Sequence, residues 1–131
     1  MEEIPETMLA WTKSRDEMGG FSLDRHPIPK PEENEVLVKT HSTSLCGTDL
    51  HIWKWDEWAR ENVPIGTITG HETCGTIVAL GDKVESHKIG DKVAIECHLA
   101  CWDCPRCDEG NAHICDKGEI FGVHSNGAFA P

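Results

Sequence analysis

Four cysteines fall within 15 consecutive positions, and this run constrains the fold more than any other feature of the sequence. The first three are two residues apart and the fourth follows after seven more: Cys101, Cys104, Cys107 and Cys115. A structural zinc takes four thiolates at the corners of a tetrahedron, with Zn–S distances of about 2.3 Å. Two-residue spacers let one loop present successive sulfurs to one point, and Pro105 and Gly110 indicate a loop. The run therefore predicts a structural zinc that stabilises a polar lobe.

Other uses of clustered cysteines fit the sequence less well. The cysteine count of seven is odd, and the N-terminus has no basic segment followed by an apolar one, which argues against a secreted disulfide framework. An iron–sulfur run of the ferredoxin type has three residues before its last cysteine and a proline after it. This chain has neither. The thiols therefore indicate a cytoplasmic metalloprotein.

Length and charge argue against two classes of partner. The chain has 131 residues, enough for one domain with one core. Its 12 basic and 23 acidic residues give a formal net charge of -11, which repels nucleic acid and anionic lipid. No apolar run approaches the roughly 20 residues that cross a bilayer. We therefore expect neither a nucleic-acid nor a membrane partner.

Short alternating segments, separated by glycine and proline turns, predict a mainly β protein with short helices. A parallel sheet is disfavoured because no strand–helix alternation is found. The proline-rich stretch His26–Asn34 predicts an extended connector, because proline disfavours a helix. The predicted strands are Met8–Lys13, Phe21–Arg25, Glu35–Thr40, Thr73–Leu80 and Asp91–Ile95.

One longer segment, Asp49–Asn62, predicts a helix that begins at an aspartate cap, because it contains no glycine or proline. In such a helix His51, Trp55 and Trp58 share one face. Packing against the rest of the protein is the favoured interpretation of the two indoles.

A second metal site is predicted by two motifs that are weak when taken separately. Cys46 lies in Cys-Gly-Thr-Asp-Leu-His after a predicted strand, and His71 and Glu72 lie in Gly-His-Glu. A lone cysteine or histidine is commonly structural, but a thiolate, an imidazole and a carboxylate together suit a zinc with an open position. Such a zinc acts as a Lewis acid on an alcohol or carbonyl oxygen. The Thr48 hydroxyl can then carry the proton outward, with His51 as the next group.

In their order and spacing, these motifs resemble the N-terminal domain of zinc-containing medium-chain dehydrogenases. The resemblance rests on LCGTDLHIWKWDEW at 45–58, GHE at 70–72, the strand at 75–81 and the four-cysteine run, and it extends from about Met8 to Ala130. The segments HPIPKPEENEVLVK and GDKV fit the same family. Within it, the threonine after Cys-Gly and the run HIWKWDEW resemble threonine 3-dehydrogenases more than ethanol or sorbitol dehydrogenases.

The resemblance implies a GroES-like, partly open β-barrel with short helices and a zinc-binding loop lobe at 97–118. It implies two zinc ions, a catalytic one on Cys46, His71 and Glu72 and a structural one on the clustered cysteines. Thr48 and His51 would form the proton relay. The implied reaction oxidises a secondary alcohol, bound to zinc as its alkoxide, to a ketone, with NAD(P) as the hydride acceptor. Threonine dehydrogenases act in this way on L-threonine.

Further residues receive roles from the same resemblance. Asp49 is expected behind the catalytic zinc ligands, and His98 looks like the substrate-site histidine of the subfamily. Cys74 and Cys97 are expected to be unligated thiols. Three indoles are expected at the substrate entrance or at a subunit contact: Trp53, Trp55 and Trp58.

The sequence contains no GxGxxG-type fingerprint, so no residue is assigned to cofactor binding. We therefore expect 1–131 to be an incomplete catalytic domain without its Rossmann NAD-binding domain, and inactive alone unless a separate nucleotide-binding chain completes it. Unpaired strand edges favour a homo-oligomer. The alternative function is a stand-alone structural zinc-binding module without catalysis, which the intact CGTDLH and GHE motifs disfavour. A nucleic-acid-binding zinc ribbon is disfavoured by the charge.

Overall fold

The structure, a computed structural model that describes residues 3–131, consists mainly of antiparallel strands joined by turns. The mainly β class predicted from the sequence is confirmed. Among the described residues, no helix has the length and apolar composition needed to cross a bilayer. The strands are β1 Thr7–Lys13, β2 Phe21–Pro27, β3 Val36–Ser44, β4 Glu72–Leu80, β5 Lys92–Ile95, β6 His98–Leu99 and β7 Glu119–Ile120. The helices are α1 Gly47–Lys54, α2 Glu57–Asn62 and α3 Pro105–Asp108, with a 3-10 turn at Ala112–Ile114.

The central sheet has the strand order β3–β4–β5 and fixes the ends of its strands relative to one another. β3 and β4 are antiparallel, with Ser44 opposite Glu72, and β5 pairs with the other edge of β4. Two register shifts in the β3–β4 pair bend the strands. Because the end of β3 meets the start of β4, the segments 45–46 and 71–72 lie at the same end of the sheet.

The β1–β2 hairpin is tied to the start of β4 through the segment 66–70. On its free edge β1 meets this segment, where Lys13 N donates to Thr67 O at 2.9 Å. The segment 127–129 pairs with 66–70 in turn, since Phe129 N donates to Thr69 O at 2.9 Å. Within residues 3–131 the three sheets do not close into one continuous barrel, in agreement with the partly open barrel expected from the sequence.

The helix expected at Asp49–Asn62 begins earlier than predicted. α1 begins at Gly47 with Cys46 as its N-cap. Asp49 occupies the third position of the helix instead of the cap, and its carboxylate accepts a hydrogen bond from Cys46 N at 2.8 Å. A carboxylate at the third helical position can accept a hydrogen bond from the backbone N–H of the N-cap residue, which has no partner within the helix. Asp49 therefore favours a helix that begins one turn upstream of it.

The prediction of one continuous helix is also wrong. α1 ends at Lys54, and its C-cap Trp55 has a left-handed φ of 57°. Asp56 then caps α2 by accepting from Ala59 N at 3.0 Å. Aspartate caps a helix better than it extends one, so the second aspartate divides the segment. The expected shared face of His51, Trp55 and Trp58 does not form, because Trp55 is only 3% exposed whereas the other two side chains face solvent.

The two helices pack over one hydrophobic core. Phe21 and Ile120 pack against this core and are partly buried. The indole Nε1 of Trp55 donates to the carboxylate of Asp16, which connects the core with the β1–β2 turn. The buried core residues are Ile52, Trp55, Ala59, Val63 and Val123.

Lys13, at the end of β1, is fully buried despite its charge. Its Nζ donates to the backbone oxygens of Glu17 at 2.6 Å and Gly19 at 3.1 Å, and lies 4.0 Å from the ring centroid of Trp55. Burial lowers the pKa of Lys13, and the nearby Glu17 and Asp16 carboxylates oppose this effect. The ammonium therefore holds the β1–β2 turn against the core in place of water.

We expect Lys13→Met to lower the free energy of unfolding by about 1–3 kcal/mol, because two carbonyl acceptors lose their donor while the apolar stem is kept. Urea unfolding, followed by tryptophan fluorescence, measures the difference. Lys30→Met, which replaces an exposed lysine, is the control. Equal stability of the two variants would contradict a structural role for the buried ammonium.

Candidate metal centres

Four sulfur atoms meet in the loop lobe after β6. The Sγ–Sγ distances are 3.4 Å for Cys101–Cys115, 3.6 Å for Cys104–Cys107 and 3.8 Å for Cys104–Cys115. A tetrahedral zinc site with Zn–S bonds of about 2.3 Å has edges of about 3.8 Å, whereas the sulfurs of a disulfide are about 2.05 Å apart. All four thiols are free. Their geometry therefore fits a structural zinc.

The backbone of this lobe stabilises negative charge on sulfur. The N–H of Cys101 donates to Sγ of Cys115 at 3.3 Å. Hydrogen bonds from the backbone N–H groups of Cys107 and Asp116 lower the pKa of Cys104 to about 6. Since metal-bound cysteine is a thiolate, these donors favour the form of Cys104 that binds zinc. Burial, followed by hydrogen bonds with the Cys104 and Cys115 thiols, raises the pKa of Cys107 to about 12.

The cysteine lobe contains a short α-helix, α3, and the 3-10 turn where the sequence predicted only a loop. Cys104 is the N-cap of α3, and Pro105 lies in its first turn. A proline there costs no hydrogen bond, because the first N–H groups of a helix have no partner within it. The two-residue spacer between Cys104 and Cys107 therefore forms a helical turn.

A second group of donor atoms converges where β3 ends and β4 begins. The Sγ of Cys46, a ring nitrogen of His71 and a carboxylate oxygen of Glu72 lie within 4.8 Å of one another. His71 is 6% exposed, and its Nδ1 is buried without a hydrogen-bond partner among residues 3–131. A buried polar atom without a partner is costly unless a ligand or ion satisfies its surroundings. These three residues fit a zinc with an open coordination position.

Gly70 sets the direction in which the chain enters this site. Its φ is +93°, and a Cβ at this position would lie 2.5 Å from the ring of Phe129. The carbonyl of Gly70 accepts from Ala128 N at 2.9 Å, so the segment 127–129 packs directly on the backbone before His71. Only glycine combines this backbone conformation with so close an approach.

Asp49 connects the two segments that carry the donors. Its Oδ2 accepts from Cys46 N at 2.8 Å, and its Oδ1 lies 3.9 Å from Nδ1 of His71. This Oδ1 is also buried without a hydrogen-bond partner in the described part of the chain. A carboxylate behind a metal-binding histidine fixes the orientation of the ring and raises its basicity. Asp49 therefore lies beside His71, and its role behind a metal ligand stays a prediction.

Glu72 is held in place from β3. The hydroxyl of Ser44 donates to a carboxylate oxygen of Glu72, and this bond, followed by one from the Cys46 thiol, lowers the pKa of Glu72. The carboxylate therefore stays ionised and fixed in direction. Sequence reasoning missed Ser44, because only the β3–β4 register brings it beside a residue 28 positions away.

Thr48 and His51 lie about one turn apart on α1. The Oγ1 of Thr48 is 3.7 Å from Sγ of Cys46. The Nδ1 of His51 contacts the carboxylate of Asp56, and the ring meets Trp58 edge-to-face with centroids 6.4 Å apart. Asp56 was also missed from the sequence, since residues five apart in a continuous helix point about 140° apart around its axis.

An apolar groove of about 350 Å³ opens beside Cys46. Stacked rings form part of it, with centroids 5.6 Å apart for Trp11–Phe21 and 6.0 Å apart for Phe21–Trp53. Leu50 also lines the groove and is 53% exposed. An apolar lining with a few polar groups at one end is typical of a site for an organic ligand.

A third group of possible donors is formed by Glu96, Cys97 and His98. The Glu96 carboxylate accepts a hydrogen bond from Nδ1 of His98 at 2.6 Å. This bond explains why the two side chains are close together without a metal. Burial, and then the charges of Glu96, Cys46 and Glu72, raise the pKa of the Cys97 thiol.

The remaining predicted residues are dispersed. Trp53 lines the groove beside Cys46, and Trp58 is exposed next to His51. Trp55 belongs to the core. Its expected place at a substrate entrance or subunit contact is therefore wrong, and its indole packs against the rest of the protein. Cys74 is exposed and, among the described residues, joins no group of metal donors.

The fold and its two sites define the class of the protein: a β domain with a closed four-thiolate site and a separate open site of mixed donors. Residues 32–131 match the family described as the alcohol dehydrogenase GroES-like domain. The chain therefore belongs to this family, and the GroES-like fold expected from the sequence is confirmed.

Individual relatives agree with this assignment. The chain is 46% identical over 123 residues to L-threonine 3-dehydrogenase of Francisella tularensis subsp. novicida, and 43% identical over 127 residues to that of Pyrococcus furiosus. These matches cover 94% and 97% of this chain but 35% and 36% of the relatives. The chain thus spans about a third of the length of these curated relatives.

Solved structures resemble the chain over the same extent. A galactitol-1-phosphate dehydrogenase from Escherichia coli has a TM-score of 0.81 at 31% identity, covering 93% of this chain and 34% of that one. A short chain alcohol dehydrogenase from E. coli CFT073, solved with NADH, has a TM-score of 0.83 at 30% identity, covering 96% of this chain and 35% of that one.

We expect Cys107→Ser to remove one zinc per chain and to lower the melting temperature, because three thiolates cannot complete the tetrahedron. Elemental analysis of protein purified without chelator measures the zinc, and circular dichroism follows the melting. Cys74→Ser, which removes an exposed thiol outside both sites, is the matched control. Undiminished zinc in Cys107→Ser would rule out the four-thiolate site.

Cys46→Ser is expected to remove a different zinc, leaving one of two per chain, because serine is a weaker zinc ligand than a thiolate. The same elemental analysis applies, and the double variant Cys46→Ser/Cys107→Ser is expected to hold none. A wild-type content of one zinc, unchanged by Cys46→Ser, would restrict metal binding to the loop lobe.

Proposed function

We propose that this chain is the zinc-binding catalytic domain of an NAD(P)-dependent dehydrogenase that oxidises a secondary alcohol, with L-threonine as the favoured substrate. The observation that carries the proposal is the convergence of Cys46, His71 and Glu72 at a point beside an apolar groove. The relatives named L-threonine 3-dehydrogenase support the substrate class.

The donor residues would hold zinc, which when bound supplies a Lewis acid that lowers the pKa of an alcohol. The chain's own contribution is to fix the donors in direction before substrate arrives. Ser44 orients Glu72 through a hydrogen bond, and the Asp49 carboxylate lies 3.9 Å from Nδ1 of His71. A pre-organised site of this kind costs little rearrangement during the reaction.

Thr48 and His51 would move the proton of the alcohol to solvent. The Thr48 hydroxyl lies beside the Cys46 sulfur, where it can accept a proton from the substrate hydroxyl and pass its own proton on. His51 follows about one turn along α1, and its side chain is 60% exposed. The imidazole can therefore receive the proton and release it to water.

The hydride acceptor belongs outside this domain in our proposal. Residues 1–131 form one catalytic domain with the zinc lobe at 97–118, and NAD(P) is bound either by further residues of the same polypeptide or by a separate chain. A cytoplasmic location and association with further copies through unpaired strand edges are parts of the same proposal.

The alternative, a structural zinc module without catalysis, needs only the closed site of four thiolates. It gives no reason for a second group of donors where the end of β3 meets the start of β4. The open site therefore favours the enzyme.

A chimera tests this proposal directly. It joins residues 1–131 to the remaining two thirds of the Francisella tularensis L-threonine 3-dehydrogenase. We expect L-threonine-dependent formation of NADH, measured by absorbance. Thr48→Val is expected to lower kcat about a hundredfold with little change in KM, because it removes the proton carrier and keeps the side-chain volume.

Controls separate failure of folding from failure of the proposal. The chimera must bind two zinc ions per chain and melt cooperatively, and its Cys74→Ser variant must retain the activity. A chimera that meets these conditions and oxidises neither L-threonine nor other secondary alcohols would contradict the proposed function.

A further inference from the structure

The carboxylate of Asp56 has two different partners, one on each oxygen. Oδ1 accepts from Ala59 N at 3.0 Å and so caps α2. Oδ2 contacts Nδ1 of His51. Capping α2 explains only the first of these bonds, and the second ties α2 to a side chain on α1.

The contact depends on the break between the helices. Trp55 adopts a left-handed conformation with φ 57°, which bends the chain so that Asp56 lies beside His51. Left-handed backbone is unfavourable for a residue with a large side chain. The buried Trp55 indole, fixed by Asp16 and Lys13, offsets this cost.

We propose that Asp56 is a positioning residue that holds the His51 imidazole as its Nδ1–H tautomer, with Nε2 free to take up a proton. This inference rests on the relay role of His51 in the proposed function. An ionised carboxylate has no proton to donate, so the hydrogen of the bond must lie on Nδ1. In a neutral ring, Nε2 is then the acceptor.

The proton transfer balances without a further reactant. The substrate hydroxyl loses its proton to Thr48, whose own proton moves to Nε2 of His51 and makes an imidazolium. The ionised Asp56 compensates this positive charge. The imidazolium then releases its Nε2 proton to water, Nδ1–H stays bonded to Asp56, and the pair returns to its starting state.

The electrostatics of Asp56 keep it ionised during this cycle. The hydrogen bond from His51, followed by the one from Ala59 N, lowers the pKa of Asp56 below its ordinary value of 3.8. Lys54 acts in the same direction. Because the pKa is lowered in the folded state, the contribution of this carboxylate is complete above 3.8 and is lost as the pH falls through the lowered value.

The test uses Asp56→Ser in the 131-residue chain. Serine caps a helix about as well as aspartate, but its single oxygen cannot cap α2 and reach His51 together. Imidazole ¹⁵N chemical shifts identify the protonated ring nitrogen of His51 in its neutral form. We expect mainly Nδ1–H in the wild type and a shift toward Nε2–H in Asp56→Ser.

The matched control is Glu57→Gln, which removes a neighbouring exposed negative charge without touching His51. It is expected to leave the tautomer unchanged. A wild-type ring protonated mainly on Nε2, or the same tautomer in wild type and Asp56→Ser, would overturn the inference.

Kinetics of the chimera supply the second readout. Asp56→Ser is expected to lower kcat about tenfold with KM for the alcohol unchanged, because it affects proton movement and leaves the zinc ligands intact. Unchanged kcat would overturn the positioning role. If the wild-type chimera is inactive, the proposed function and its proton relay are both contradicted. The ¹⁵N measurement on the 131-residue chain still shows whether Asp56 determines which nitrogen of His51 is protonated.

Discussion

The antiparallel pairing of β3 with β4 is the constraint on which the open site depends. With Ser44 opposite Glu72, the residues that follow β3 and those that precede β4 must meet at one end of the sheet. A slip of one residue would turn every side chain of β4 to the opposite face. It would separate Glu72 from Ser44 and move His71 away from Asp49. The strand register therefore determines the geometry of the donor atoms.

The two sites illustrate which kinds of information a sequence carries. The four-thiolate lobe is local, because its ligands lie within 15 positions and their spacing alone predicts one metal. The open site joins residues about 25 positions apart. Neither the Cys46 motif nor the Gly-His-Glu motif identifies it alone, because pairing of β3 with β4 brings the two together. The sequence therefore supplies the ligand candidates, whereas Ser44 and Asp56 are recognised only once tertiary pairing and the helix break are known.

The helix break shows why propensity failed over 49–62. Every residue there tolerates a helix, and the absence of glycine and proline favoured one continuous element. Two factors oppose one continuous helix: Asp56 caps α2, and the buried Trp55 indole packs against Lys13 and Asp16 where the chain turns. The buried lysine was equally hidden from sequence reasoning, since its partners are backbone carbonyls that carry no sequence signal.

The closed and open sites also differ in how their polar groups are satisfied. In the lobe, backbone N–H groups donate to the sulfurs, so the thiolates are supported by the loop that carries them. At the open site Nδ1 of His71 and Oδ1 of Asp49 are buried 3.9 Å apart, each without a hydrogen bond within the described residues. Such a pair costs stability, and pairing of β3 with β4 offsets that cost. The sheet therefore holds together a set of donors that the local sequence could not hold by itself, and such a set suits a metal ion.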